Sequence, residues 1–587
     1  MTKHRTPYAV ALAFVALIAS SIAAGAAPTR ATAPDAGTSA RQPSGSAQEY
    51  VVAFTGSSDA AVATVTKAGG QVVSVNEGMH LALVETKSSS FASKVSGATG
   101  VRGVIRNHAV GETRPGMAHR YAANRPNVEE EHAAGKAAGS AKASRGRGVE
   151  PLANLQWDMQ MIGATPTGAW KKATGKGVDV AIIDTGIDAS HPDIAPNFDS
   201  RRSRNFTMDI PGPADLLNDG PCEVPTCIDP ANVDDGGHGT HVAGTVGAAR
   251  NGLGIAGVAP DVKLINLRAG QDSGFFFLYE TVAALTEAGN LHVDVVNMSF
   301  FTDPWLYNCA SRDDYISGEV SDAQIAEQAL IRQLVLEAVK YASDRGVTLV
   351  GAAGNEHANM ALPTRADLET SPDFPALPDG TPVNLTPRVV KKSCLDLPNE
   401  APQVIGVSSV GPSTTKADYS NYGLGDVEVS APGGWFRDFF GTPQHRTNQN
   451  LILSSYPLHV AIEEGLADEN GNPTDDSSVK SCNSRGVCGF YHYLQGTSMA
   501  SPHAAGVAAL IIDRFGHHTR GGGRALSPTT VQRIMERTAT DHACPAGGVE
   551  DYTDEGRDPS FNAVCDGTTA ENGLYGEGIV SAVNAVR

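Results

Sequence analysis

Beyond its first 27 residues the chain has no run of about 18 apolar residues, so no later segment is long enough to cross a bilayer as a helix. It has no CxxC pair and no HExxH, which removes the common zinc signatures. Basic residues are short: 45 Lys and Arg stand against 64 Asp and Glu, a formal net charge of −19. That balance argues against a nucleic-acid-binding surface and against an anionic membrane as partner. It suits a chain kept soluble after export.

What is there begins with a targeting segment. Lys3 and Arg5 precede an apolar stretch, Ala9 to Ile22, and Ala24-Gly25-Ala26 fits a small-x-small cleavage pattern, so residues 1–27 read as a signal peptide. No Cys lies near that site, which argues against a lipid anchor, and the mature chain is expected to be secreted and extracellular. All eight Cys fall after residue 220, as expected for a disulfide-forming compartment. Cys222 with Cys227 and Cys482 with Cys488 could close small loops. Cys544 with Cys565 is the next simplest pairing and leaves Cys309 with Cys394, one of 105 possible connectivities.

At 587 residues the chain exceeds what one core normally holds. Residues 28–47 are rich in Ala, Pro, Ser, Thr and Gly, a flexible lead-in. Residues 49–111 carry a small α+β pattern: strands at Tyr50–Phe54, Gln71–Val75, Leu81–Val84 and Val101–Ile105, with helical spacing at Ala60–Ala68 and Phe91–Val95. Residues 112–150, with Glu129-Glu130-Glu131 and Ser144-Arg145-Gly146-Arg147-Gly148, bury little and read as a mobile, cleavable linker. From 151 to 587, apolar strands (Val178–Asp184, Lys263–Leu267, Val293–Ser299, Val347–Gly351, Val404–Val407) alternate with helices (Ala169–Lys172, His238–Ala249, Tyr279–Ala288, Asp322–Asp344). Strands apolar on both faces and separated by helices imply an α/β fold with a parallel sheet flanked by helices.

Three short motifs carry chemistry. Asp184 ends the strand Val180–Ile183, where ligands sit in such sheets. His238 opens a small-residue helix after Asp235-Gly236-Gly237. Ser498 stands in Gln495-Gly496-Thr497-Ser498-Met499-Ala500-Ser501-Pro502-His503, before the apolar segment Ala504–Ile512. That reads as a sharp turn into a buried helix, whose N-terminal N–H groups and dipole favour a developing oxyanion. A Ser hydroxyl needs a base, and a His held by an Asp is one.

These motifs, in the order Asp184, His238, Ser498, resemble the subtilisin-like serine protease family from about Leu155 to the C-terminus. The resemblance implies a subtilisin-like catalytic domain acting on protein or peptide substrates, with His238 as base and Asp184 orienting it. It identifies Asn355, in Gly351-Ala352-Ala353-Gly354-Asn355, with the side-chain oxyanion donor. It makes Ser299 and Phe300, and opposite them Ala352 and Gly354, the walls of the pocket for the residue before the scissile bond. There Phe301-Thr302 stand where relatives carry glycines. It likens residues 49–111 to an inhibitory prodomain, the chain's own intramolecular partner, and the enzyme to a monomer made as a self-processed zymogen. Gly252-Leu253-Gly254-Ile255-Ala256-Gly257 follows a helix and precedes a strand, the reverse of a dinucleotide motif. In the family this is a structural calcium loop, with Asn251 and the carbonyls of Ala249, Leu253 and Ile255 as ligands and Asp193 added from another loop. His241 and His503 have the character of structural histidines. Four stretches, 200–233, 303–318, 359–398 and 435–491, read as surface insertions. Two other classes are weighed: an esterase, whose triad order would differ, and a non-catalytic binding protein, which would have lost one of the four catalytic residues.

Overall fold

The computed structural model describes residues 47–107, 128–131, 149–211, 219–302, 305–318, 320–367, 388–518 and 523–587. The expected signal peptide and most of the linker lie outside these residues. β1 (Gln48–Phe54), α1 (Ser58–Ala68), β2 (Gln71–Asn76), β3 (Leu81–Thr86), α2 (Phe91–Val95) and β4 (Val101–Arg106) follow the expected α+β pattern within two residues. The strands pair antiparallel in the order β2-β3-β1-β4. Alternation sends Tyr50, Val52 and Phe54 toward Val65 and Phe91. Val51, Ala53, Leu83 and Ile105 face the other way, onto the rest of the protein.

The remainder runs α3 (Trp157–Ile162), β5 (Asp179–Ile183), β6 (Arg204–Asn205), α4 (His238–Gly247), β7 (Lys263–Arg268), α5 (Leu278–Leu291), β8 (Val295–Met298), β9 (Tyr315–Ser317) and α6 (Asp322–Ser343). It continues with β10 (Thr348–Ala352), β11 (Thr364–Asp367), β12 (Arg388–Lys391), β13 (Val404–Val410), β14 (Val429–Pro432), β15 (Ile452–Ser455) and α7 (Leu458–Glu463). β16 (Ser478–Cys482), β17 (Cys488–Leu494), α8 (Thr497–Phe515) and α9 (Pro528–Thr538) close the list of larger elements. Seven strands make a parallel sheet in the order β14-β13-β10-β8-β5-β7-β6. α4, α8 and α9 cover one face and α5 and α6 the other, so the central strands are buried on both sides. The register pairs Ile183 with Met298 and Met298 with Gly351. Asp184, Ser299 and Ala352, the next residues along, therefore stand in one row at the same end of these strands.

Three expectations are corrected. Ala169–Lys172 is one 3-10 turn, Ala169–Lys171, flanked by Gly168 at ψ −122° and Lys172 at φ −122°, both outside the helical region. Residues 435–491 are not surface decoration. β15, β17 and β16 form a sheet that buries Ile452, Leu453, Tyr491 and Tyr493, and Ser454 Oγ donates to the His241 carbonyl at 2.7 Å. The linker is not uniformly mobile: Val128–Glu131 is docked, with Gln495 donating from its backbone N to Glu129 O (3.2 Å) and from Nε2 to Val128 O (2.8 Å). All four disulfides form, Cys222–Cys227, Cys309–Cys394, Cys482–Cys488 and Cys544–Cys565.

The N-terminal module docks on α5 and α6 by its apolar face, framed by polar contacts. Asn76 Nδ2 donates to Thr286 Oγ1 (3.0 Å), Arg102 pairs with Glu337 (2.7 Å), and buried Asn107 donates to the Glu280 carboxylate while accepting from Tyr279 N (3.0 Å). Asn107→Ala leaves a buried carboxylate and an N–H less well satisfied, weakening docking by about 1–3 kcal/mol. Hydrogen exchange at the Tyr279 amide should then accelerate, while exchange within β8 stays unchanged.

Candidate active site

Asp184 is fully buried at the end of β5, and its Oδ1 accepts from Thr185 N and from His238 Nδ1, both at 2.8 Å. A carboxylate only accepts, so the proton sits on Nδ1 and Nε2 faces the cleft. His238 is the first residue of α4. Asp234 anchors that helix end by accepting from Gly237 N, Thr240 N and Thr240 Oγ1 at 2.6–2.9 Å. Sequence reading passed over Asp234, though an Asp ahead of a Gly-Gly pair and a helix is a capping signal. A Cβ on Gly239 would lie 2.1 Å from the Gly186 carbonyl, so only glycine lets α4 come this close to the Asp184 loop.

Ser498 is the second residue of α8, buried along its first seventeen residues. Pro502 lies inside this helix and has no N–H for the Ser498 carbonyl four residues back. Ser299 Oγ donates to that carbonyl instead, at 3.1 Å, and thereby ties β8 to the helix start. Asn355 is oriented by Thr497, whose N and Oγ1 both donate to Asn355 Oδ1 at 2.9 Å. Its Nδ2 thus points into the space above Ser498. His241 and His503 are buried and bonded to the protein: His241 Nε2 lies 3.1 Å from His492 O and His503 Nε2 2.9 Å from Asp158 Oδ2.

That space holds a side chain the sequence reading left in the linker. The Glu129 carboxylate lies 3.4 Å from His238 Nε2, accepts from Asn355 Nδ2 at 3.3 Å and is hydrogen-bonded to Ser498. Arg437 grips neighbouring Glu131 at 2.5 Å. The only signal in the sequence was the acidic triplet itself, which reads as a solvated run. Burial works against both charges, yet Asp184 and Glu129 outweigh it and raise His238 well above its usual range. His238, Ser498 and Asn355 likewise outweigh burial at Glu129 and lower it. The resting pair is therefore imidazolium and carboxylate.

Ser299, Phe300, Ala352 and Gly354 line one cleft of about 790 Å³ together with His238 and Ser498. The Phe300 ring stacks on Phe276 with centroids 4.0 Å apart, and Phe301 also lines the cleft.

Asp193, Ala249, Asn251, Leu253 and Ile255 come together beside α4. Asp193 accepts from Asn251 Nδ2 (3.0 Å), Ile255 N (3.1 Å) and the Tyr491 hydroxyl (2.7 Å), and Ala249 N donates to Asp193 O (2.8 Å). Glu150, which sequence reading did not place, enters the same loop and accepts from Gly252 N at 2.8 Å. Burial pushes Asp193 and Glu150 each up to about 7, and the Glu150 charge adds to the rise at Asp193. Two buried carboxylates beside an amide and backbone oxygens fit a hard cation. A second acidic cluster, Asp209, Glu223, Asp229 and Asp272, offers oxygens within 4.8 Å of one another and could also hold a metal ion. Among the described residues no helix is long and apolar enough to cross a membrane.

A parallel sheet between two helical layers, with Asp, His and Ser meeting at its strand ends, is the subtilisin-like fold. A profile of the Subtilase family matches residues 175–571, and the chain belongs to that family. It is 27% identical over 398 residues to fervidolysin of Fervidobacterium pennivorans, covering 67% of this chain but only 41% of fervidolysin. Thermitase of Thermoactinomyces vulgaris is 25% identical over 397 residues, 68% of this chain and 91% of thermitase. The crystal structure of the epidermin leader peptide processing serine protease from Staphylococcus aureus superposes with a TM-score of 0.56 at 20% identity, covering 92% of this chain and 98% of that one.

The Glu129–His238 pair sets a pH window for docking. The lowered carboxylate keeps its contribution from its ordinary value of 4.5 upward and loses it only as pH falls below that. The raised imidazole keeps its contribution at and below its ordinary 6.5 and loses it as pH rises through the raised value. Glu129→Gln removes the charge and keeps the shape. Titration of the His238 ring by NMR should move back toward the ordinary range in that variant, while Asp184 still holds it partly up.

Proposed function

We propose that the chain is a secreted serine endopeptidase that hydrolyses peptide bonds through an acyl-enzyme on Ser498 and is made as a zymogen. The observation that carries this reading is the convergence of Asp184, His238, Ser498 and Asn355 on one point of the cleft. With Glu129 withdrawn, neutral His238 takes the Ser498 proton through Nε2, and the hydroxyl oxygen attacks the substrate carbonyl. Asp184 Oδ1 keeps Nδ1 protonated and stabilises the imidazolium. The oxyanion forms where the Glu129 carboxylate now lies, bound by Asn355 Nδ2 and the Ser498 N–H. His238 then gives its proton to the leaving amine, and water, deprotonated by the same ring, releases the acyl group. With Glu129 in place the base is already protonated and the oxyanion site is filled, so the precursor is silent.

Residues 49–111 act as the inhibitory prosegment, supported by the docking of residues 48–107 on α5 and α6 and by the placement of Glu129 in the cleft. Export is supported by the targeting segment and the four disulfides. The enzyme acts as a monomer. Calcium, held by Asp193, Asn251, Glu150 and the carbonyls of Ala249, Leu253 and Ile255, offsets buried negative charge and braces the loop after α4. It takes no part in the chemistry.

A fluorophosphonate should label the processed enzyme at Ser498 and nowhere else, as read by mass spectrometry. Ser498→Ala should lower kcat about 10⁶-fold and Asn355→Ala about 100- to 1000-fold, both with near-wild-type melting. Precursor carrying Ser498→Ala should accumulate with the prosegment attached in a host without extracellular proteases. Equal processing of wild type and variant overturns self-maturation.

Calcium in excess over chelator should raise the melting temperature, since an ion bound only by the folded chain stabilises it by mass action. Asp193→Asn should remove most of that rise. Superimposable melting curves with calcium and with chelator would overturn the ion assignment.

A further inference from the structure

The floor of the pocket next to Ser498 is made by residues the family resemblance did not single out. Asp396 and Asn399 line the same cleft as Ser299, Phe300, Ala352 and Gly354. They sit in the loop between β12 and β13, and that loop is rigidly held. Cys394 is bonded to Cys309, Leu397 O accepts from Thr302 N at 2.7 Å, and Asp396 N donates to Glu400. Arg365, in the insertion strand β11, pairs with Glu400 and donates to the Cys394 carbonyl. Asp396 is 1% exposed and Asn399 8%.

Both side chains present acceptors with nothing to accept. Asp396 Oδ1 and Asn399 Oδ1 are buried and have no hydrogen-bond partner, while Asn399 Nδ2 is turned back on Asp396 Oδ2 at 3.4 Å. Gly351 makes the arrangement possible, because a Cβ there would stand 2.4 Å from Asn399 Oδ1. The nearby guanidinium of Arg365 offsets the Asp396 charge only in part, because it is paired with Glu400. Glu356, whose Oε2 accepts from Asn421 Nδ2, adds further negative charge to the pocket wall. Burial first, and then Glu356 and Glu400, hold the Asp396 carboxyl well above the usual carboxylate range. The unsatisfied Oδ1 atoms of Asp396 and Asn399 in the pocket wall suit a ligand that brings donors and positive charge, which would draw the Asp396 carboxyl into its ionised form.

We propose that Asp396 and Asn399 form a cation-specific subsite that binds an arginine or lysine side chain of the substrate at the residue before the scissile bond. Phe300 and the segment Ala352–Gly354 enclose the aliphatic stem, and the guanidinium or ammonium reaches Asp396 Oδ1 and Asn399 Oδ1. The chain carries its own matching segment. Arg145 and Arg147 lie in the linker between the N-terminal module and Glu150, so cleavage after either leaves Gly146 or Gly148 as the new N-terminus. The inference rests on the peptidase reading of this cleft and adds its substrate class.

The test compares matched fluorogenic peptides that differ only in having arginine, or its uncharged isostere citrulline, before the scissile bond, using processed wild-type enzyme. Arginine should be favoured in kcat/KM by on the order of 100-fold, the loss typical of leaving one member of a buried charged pair without its partner. Asp396→Asn should reduce that ratio to about threefold or less. The wild-type ratio needs no variant, so a misfolded Asp396→Asn does not protect the proposal; benzamidine should also compete with a neutral peptide on the wild-type enzyme. Mass spectrometry should find the mature chain starting at Gly146 or Gly148. Equal cleavage of arginine and citrulline peptides overturns the subsite and leaves the peptidase reading intact. If no peptide is cleaved and Ser498 takes no fluorophosphonate, both readings fall together.

Discussion

Hydrogen-bond register within the parallel sheet is the constraint on which the cleft depends. β5, β8 and β10 are adjacent, and the last residues of β5 and β8 pair in one row with the penultimate residue of β10, Ile183 with Met298 and Met298 with Gly351. A slip of one residue in any of them would turn its side chains to the opposite face and carry a cleft residue under a helix layer. The apolar faces on both sides oppose such a slip, because each strand would have to expose Val and Ile that are now fully buried. The buried helix α8 is then keyed to this row by one exchange of partners. Pro502 removes the N–H that would serve the Ser498 carbonyl, and Ser299 at the end of β8 replaces it. Position of the Ser is thus a property of the sheet as well as of its own turn.

Asp184, His238 and Ser498 were legible in the sequence because each lies in a short motif whose neighbours are dictated locally, whereas Asn355 was read from the family resemblance. Asp184 needs a strand end, His238 a glycine-flanked helix start, and Ser498 a sharp turn into a buried helix. Strand and helix positions were legible for a similar reason, since both-face burial leaves long apolar runs with breaks at glycine. The rest was not, and the cause is separation in sequence. Glu129 acts on groups more than 100 residues away, and nothing around it repeats with a structural period. Glu150 meets Gly252 across a similar gap. Asp396 belongs to a segment that reads as an insertion, where no pattern announces a pocket floor. Residues 435–491 misled for a further reason: turn-rich sequence between short strands resembles a surface loop even when its aromatic side chains, Tyr491 and Tyr493, are buried.

The two parts of the N-terminal region hold the enzyme by different physics. The sheet of residues 48–106 covers α5 and α6 with an apolar face, an attraction that changes little with pH or salt near neutrality. Val128–Glu131 is held mainly by hydrogen bonds and ion pairs, to His238, Asn355, Gln495 and Arg437. Those contacts are screened by salt and depend on the protonation of His238. Because both parts are on one chain, the apolar docking keeps the acidic segment at high effective concentration over the cleft, so in the proposed zymogen weak polar contacts suffice to block it. Under the proposed zymogen reading, a cut after Arg145 or Arg147 leaves module and segment together on one fragment and separates that fragment from the catalytic part. No direct contact is lost at the cut, but the fragment then binds as a separate molecule and dissociates on dilution. The proposed silent state accordingly depends on the continuity of the backbone downstream of Glu129 as well as on Glu129's own bonds, and a single peptide-bond cleavage can act as the switch.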